Sequence, residues 1–109
     1  MIVKSLDDPD GEAEWGSRGR GRGQGVEVED TMLWRSVLQP GWSWDEDMKP
    51  EAGSDSCPLE HREYVLSGRI RYVMDDGSEA EAGPGSYIVV HPGHRGFVVG
   101  DEPCVMLDW

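Results

Sequence analysis

Phenylalanine occurs once, cysteine twice and histidine three times in 109 residues, and only ten basic side chains stand against twenty-two acidic ones. Each shortage narrows what the chain can do. Cys57 and Cys104 form neither a C-x-x-C pair nor part of a dense cysteine framework, so disulfides are not expected to staple the fold and a reduced, cytoplasmic setting fits. A formal net charge of -12 repels nucleic-acid phosphates and anionic lipid, so neither is expected as a partner. No apolar run approaches the roughly 18 residues of a membrane span, and M-I-V-K-S-L-D-D-P-D has no apolar core of signal-peptide length. A soluble, unexported protein is therefore expected. The glycine-rich S-R-G-R-G-R-G-Q-G lacks both the G-x-G-x-x-G spacing and a lysine-ending phosphate loop, and no serine, histidine and acid set has the spacing of a nucleophilic triad.

The length suits one domain, able to bury roughly 65% of its unfolded surface. Short β-rich runs separated by glycine and proline turns fill most of it, and no convincing amphipathic helix appears. The pattern therefore predicts an all-β sandwich or closed barrel. Residues 2–6 alternate weakly, as a short edge strand would, and D-D-P-D-G-E is turn chemistry. Residues 17–25 read as a flexible loop, because alternating glycines neither sustain a helix nor pack as a strand. Val26 to Glu29 and Thr31 to Leu38 are strand-like, closed by Gln39-Pro40-Gly41. Arg35 stands among apolar neighbours there, either pointing into a pocket to hold a carboxylate or lying on the solvent face with its stem packed down.

Trp42 and Trp44 are spaced to share one face of a strand, as a pocket wall or as ordinary core. Asp45 to Ser56 is polar and reads as a surface loop. After Gly68, R-I-R-Y-V-M runs into Asp75-Asp76-Gly77-Ser78, a strong hairpin signal, and S-E-A-E-A returns with Glu79 and Glu81 on the wet side. His91 and His94 flank a Pro-Gly turn between two apolar strands. In the terminal strand C-V-M-L-D-W, Cys104 reads as a small core residue.

The stretch around which the rest is arranged is C-P-L-E-H-R-E-Y-V-L-S-G, residues 57–68. On extended backbone Cys57, His61, Glu63 and Val65 share one face, while Arg62, Tyr64 and Leu66 share the other. One face carries chemistry and the other packing.

Over about residues 31–109 these features resemble the cupin superfamily, small jelly-roll barrels that hold a metal or ligand between two sheets. In its first motif, G-x5-H-x-H-x3or4-E-x6-G, Gly41 matches the opening glycine, His61 stands at the glutamate and Gly68 closes. Thirteen residues rather than five separate Gly41 from the first ligand position, which holds Asp55, and the second holds Cys57. The second motif, G-x5-P-x-G-x2-H-x3-N, is similar to Gly85 through Gly100, with Gly93 matching. Its histidine position falls on Gly96, two places after His94.

The resemblance implies a double-stranded β-helix over residues 31–109, preceded by an N-terminal arm over 1–30, and a homodimer in which N-terminal strands cover sheet edges. It also implies a metal site of Cys57, His61 and either His94 or His91, with His94 preferred. Arg35, Trp44, Asp55 and His91 are expected around the pocket. A thiolate with two imidazoles is a soft to borderline set suited to zinc, ferrous iron or copper. Three protein ligands leave a position open for a small organic molecule, as in metal-dependent oxidoreductases and isomerases of this superfamily. The alternative is a metal-free, non-catalytic barrel that binds a ligand or a partner.

Overall fold

The computed structural model describes residues 1–109. Nine antiparallel strands make two sheets. They are β1 (Gly11–Glu14), β2 (Gly21–Val28), β3 (Thr31–Leu38), β4 (His61–Ser67), β5 (Arg69–Met74), β6 (Glu79–Ala82), β7 (Tyr87–Val90), β8 (His94–Val99) and β9 (Cys104–Asp108). One sheet runs β1-β2-β3-β9-β4-β7 and the other β6-β5-β8. They close on a core that includes Leu38, Trp42, Val65, Ile70, Tyr72, Val98, Cys104 and Met106. Apart from Trp42, which follows β3, the period-2 alternation puts these side chains inside, because successive strand residues point to opposite faces.

The hairpin at Asp75-Asp76-Gly77-Ser78 joins β5 to β6 as expected, and Arg69 and Arg71 pair with Glu81 and Glu79 on its wet face. The passage from β4 to β5 turns on Gly68, whose φ of 75° suits glycine, and a Cβ there would strike the Pro103 carbonyl. No helix is long and apolar enough to cross a membrane.

Three expectations are corrected. Residues 2–6 form no strand, and the edge strand lies at Gly11–Glu14. The Arg-Gly run is not a loop throughout, since from Gly21 it is β2, paired with β1 on one side and β3 on the other. The reason is not local: Gly21 and Gly23 lie against the Trp15 side chain and Gly25 against that of Trp34, so the missing side chains make room for indoles. Residues 11–28 thereby continue the larger sheet. Trp42 and Trp44 share no strand, and the polar stretch after them holds a π-helical turn, Trp44–Met48, and α1 (Lys49–Ala52).

Ion pairing explains that turn. The carboxylate of Asp47, 0% exposed, accepts from Arg20 Nε at 3.0 Å and from the Ser43 backbone N–H at 2.9 Å. The Ser43 hydroxyl accepts from the Glu46 N–H, capping the turn. Asp47 thus ties the helical segment to the start of β2, and Gly53, at φ 75°, ends it.

Candidate functional site

Cys57 and His94 are locked side by side by backbone. The Cys57 N–H donates to the His94 carbonyl at 2.9 Å, and the Gly93 N–H donates to the Cys57 carbonyl at 2.8 Å. The Pro92-Gly93 turn permits this, with Gly93 at φ 93°. His61 opens β4, and its Nε2 lies 3.5 Å from the Cys57 sulfur. The His61 and His94 rings meet edge to face at 4.9 Å between centroids. The ligating atoms of Cys57, His61 and His94 all lie within 4.8 Å of one another.

Electrostatics keep these groups uncharged. Burial, and then the neighbouring His94, lowers the His61 pKa to about 4. Burial also lowers His94, against the opposing pull of the His91 carbonyl and of Asp75, while burial raises the Cys57 thiol. The His94 Nδ1–H donates to the His91 carbonyl at 2.7 Å, which fixes the tautomer and leaves Nε2 with its lone pair.

These three side chains sit in the wall of a cavity of about 380 Å³ enclosed by the barrel and the helical segment. Trp15, Leu38, Trp42, Trp44, Met48 and Met106 make its apolar wall. Glu63, Tyr72, Asp108 and Ser36 make the polar part. The Tyr72 hydroxyl donates to Glu63 Oε1 at 2.5 Å. Burial lifts Glu63 to about 7, with the Tyr72 hydrogen bond opposing and Asp108 adding to the rise, and burial lifts Asp108 to about 6.

Of the expected pocket residues, Trp44 lines the cavity. Arg35, Asp55 and His91 do not, and the reasons are separate. Arg35 falls on the parity of β3 opposite to inward Ser36 and Leu38, and bonds Gln24, the Leu6 carbonyl and Asp7. Asp55 turns its side chain to solvent, 93% exposed and paired with Lys49, and only its carbonyl serves the wall by accepting from Trp44 Nε1 at 2.9 Å. His91, its side chain 70% exposed, pairs with Glu60 and lies on a separate outer groove between β6 and β7. It contributes its carbonyl to His94 rather than its ring.

Glu63, Asp108, Tyr72 and Trp15 are among the cavity residues that sequence reasoning did not assign to the site. Glu63 carried a signal, since it shares the inward parity of His61. Asp108 carried one too, two and four residues beyond inward Met106 and Cys104. Trp15 carried none, because its place depends on the glycines of β2.

No protein-family model matches this sequence, and neither does any curated protein sequence. Solved structures do match. The polyketide cyclase RemF from Streptomyces resistomycificus superposes with a TM-score of 0.67 at 23% identity, over 99% of this chain and 77% of RemF. Fe(II)-HppE, solved with an alternative substrate, gives 0.63 at 10% identity over 99% of this chain and 58% of its own. A cupin-like protein from Thermotoga maritima gives 0.56 at 16% identity, over 81% of this chain and 65% of its own. At such identities the likeness is one of fold: the chain has the double-stranded β-helix fold of cupin-like proteins.

Proposed function

We propose that the chain holds one first-row transition metal ion through Cys57, His61 and His94 and works as a metal-dependent oxidoreductase or isomerase on a small organic molecule in the adjoining cavity. The observation that carries this reading is the convergence of a thiol and two neutral imidazoles within 4.8 Å at the wall of a tryptophan-lined cavity. The donor set fits zinc, ferrous iron or copper. The separation of 3.5 Å between the Cys57 sulfur and His61 Nε2 is about what two ligands of one tetrahedral ion take, given bonds of about 2.3 and 2.0 Å. The bond from His94 Nδ1 to the His91 carbonyl is the outer-shell contact that orients a ligating histidine. Likeness of fold to Fe(II)-HppE and to a polyketide cyclase is in keeping with it.

When bound, such an ion supplies a Lewis acid that polarises a substrate oxygen. The chain's own residues do the rest. The tryptophan wall holds the apolar body and excludes water. Glu63, held by the Tyr72 hydroxyl, and Asp108 take or give a proton near neutral pH, where burial places them.

Protein purified anaerobically, without metal-affinity steps, is expected to carry close to one such ion per chain by elemental analysis, and His61→Ala to lose most of it. A metal-free preparation whose thermal stability responds to neither zinc nor ferrous iron overturns the reading. The alternative, a non-catalytic binding module without metal, then stands, favoured by the same Cys57–His61 contact in which thiol and imidazole satisfy each other.

We propose also that the chain forms a homodimer, because β1 and β7 leave both edges of the larger sheet with unpaired backbone. Light scattering that shows a monomer from micromolar to millimolar concentration overturns this.

A further inference from the structure

The cavity wall is selective in a way that the metal ligands do not explain. All three of its indole N–H groups are already engaged: Trp15 Nε1 donates to the Ser36 hydroxyl, Trp42 Nε1 to the Trp15 carbonyl and Trp44 Nε1 to the Asp55 carbonyl. Towards a ligand these rings present carbon and π surface and no donor. No lysine or arginine lines the cavity, and Arg20 is committed to Asp47 and Glu46. The polar part of the wall is acidic. Glu63 already accepts from Tyr72, whereas the Asp108 carboxyl lines the cavity with neither a hydrogen bond nor an ion pair.

We propose that the ligand is an uncharged, flat, fused-ring aromatic molecule bearing a hydroxyl group that donates to Asp108. This rests on the cavity being the ligand site, as read above, and names what it selects. A flat aromatic body gains stacking and edge contacts on tryptophan that an aliphatic one of equal area does not. Beside Asp108 a carboxylate or phosphate ligand meets two carboxyl groups and no cationic side chain, and such a burial is costly. A ligand hydroxyl gives the free Asp108 oxygen its missing donor, and a site built for that bond rejects an analogue lacking it. An organic cation is the competing chemistry, since tryptophan faces and carboxylates also receive cations. It is disfavoured here because Asp108 is the one cavity carboxyl without a partner, Glu63 being engaged by Tyr72, and a single acceptor leaves most donors of a buried ammonium unmet.

Calorimetric titration at neutral pH with 2-naphthol, 2-naphthoate and 2-naphthylmethylammonium decides between them, because the three share one ring system and differ in charge. Run first on EDTA-treated protein, it tests the cavity apart from the metal, which zinc titration of the same sample tests by itself. The expected result is 2-naphthol binding at least about tenfold more tightly than either ion. In Asp108→Leu that preference is expected to vanish, and in Asp108→Asn, which keeps an acceptor oxygen, to persist. Binding of 2-naphthoate as tight as 2-naphthol, tighter binding of the ammonium compound, or no binding of any probe overturns the proposal, whatever zinc does. If Asp108→Leu does not fold, the order of the three probes on the wild type and on Asp108→Asn still decides it.

Discussion

Glu63 and Asp108 stand directly opposite each other in the β4–β9 ladder, and both line the cavity. A pair of carboxyl groups facing one another across two strands is destabilising when both are ionised. Here burial raises both pKa values, so near neutral pH the pair holds protons that exposed carboxyl groups would have lost.

This has a pH consequence with a definite sign. Asp108 has a folded pKa of about 6 against an ordinary 3.8, so its contribution to stability is full below the ordinary value and is lost as pH rises through about 6. His61 runs the other way, since its folded pKa of about 4 lies below the ordinary 6.5 and its contribution is lost as pH falls through that window. The two offset each other in the wild-type profile. The informative quantity is therefore the difference in unfolding free energy between metal-free Asp108→Asn and wild type. It is expected to move in favour of the variant by about 2–3 kcal/mol from pH 4 to pH 8, at about 1.4 kcal/mol per pKa unit. Parallel profiles would show that Asp108 titrates normally.

Gly23 sets the second test. A Cβ on it would sit 2.8 Å from Trp15 Nε1 and 3.0 Å from Cζ2 of the same indole. Gly23→Ala is expected to destabilise by about 1–3 kcal/mol in a urea titration, as overpacking does. Arg22→Ala, on the exposed face of the same strand, is expected to stay within about 0.5 kcal/mol. Deleting residues 18–23, which composition alone makes look harmless, is expected to prevent folding because it removes the start of β2 from between β1 and β3. A deletion variant with native circular dichroism and an unchanged Tm would refute this.

These residues also mark the boundary of what the sequence discloses. The Asp-Gly hairpin and the inward parity of His61 are local, and both were legible. The meeting of Cys57 with His61 was not, since on extended backbone residues four apart stand about 13 Å from each other, and the contact arises because residues 58–60 lie outside any strand before β4 begins at His61. The contact of both with His94 was reachable only through the fold that the motif spacing suggested. Gly21, Gly23 and Gly25 read as loop because the reason for them is the indole rings laid over them, Trp15 and Trp34, which lie next to β2 only in the folded sheet. The helical segment was hidden likewise. Asp47 looks like one more surface acid until Arg20, 27 residues away, is seen to reach it.

That ion pair supplies the third test. Arg20→Ala leaves the Asp47 carboxylate buried with the Ser43 N–H as its remaining donor. Leaving a buried carboxylate short of its cationic partner is destabilising, and a clear drop in unfolding free energy is expected. Glu46→Ala, which removes only the exposed carboxylate on the same guanidinium, is expected to cost less than about 1 kcal/mol. Because Trp44 and Met48 ride on this turn, Arg20→Ala is also expected to weaken 2-naphthol binding in protein that remains folded. Equal costs for the two substitutions would mean that Asp47 does not anchor the segment.

The choice of third ligand is the last test. His94 and His91 are three residues apart, and neither falls on the motif's histidine position, which Gly96 holds, but the structure puts them in different surroundings. The ring of His94 lies beside His61 and its Nδ1 is tied to backbone, while the ring of His91 faces solvent beside Glu60. His94→Ala is therefore expected to lose most of the bound metal by elemental analysis and most of the rise in Tm on adding zinc. At zinc a hundredfold above its Kd, that rise corresponds to about 2.7 kcal/mol in the wild type. His91→Ala is expected to keep both, because it removes an exposed ring and leaves the backbone carbonyl that orients His94 in place. The carbonyl makes the pair of variants discriminating: a side chain at position 91 is dispensable even though its peptide group is not. Metal retained in His94→Ala and lost in His91→Ala would move the third ligand to the outer groove and break the link between the metal and the tryptophan-walled cavity.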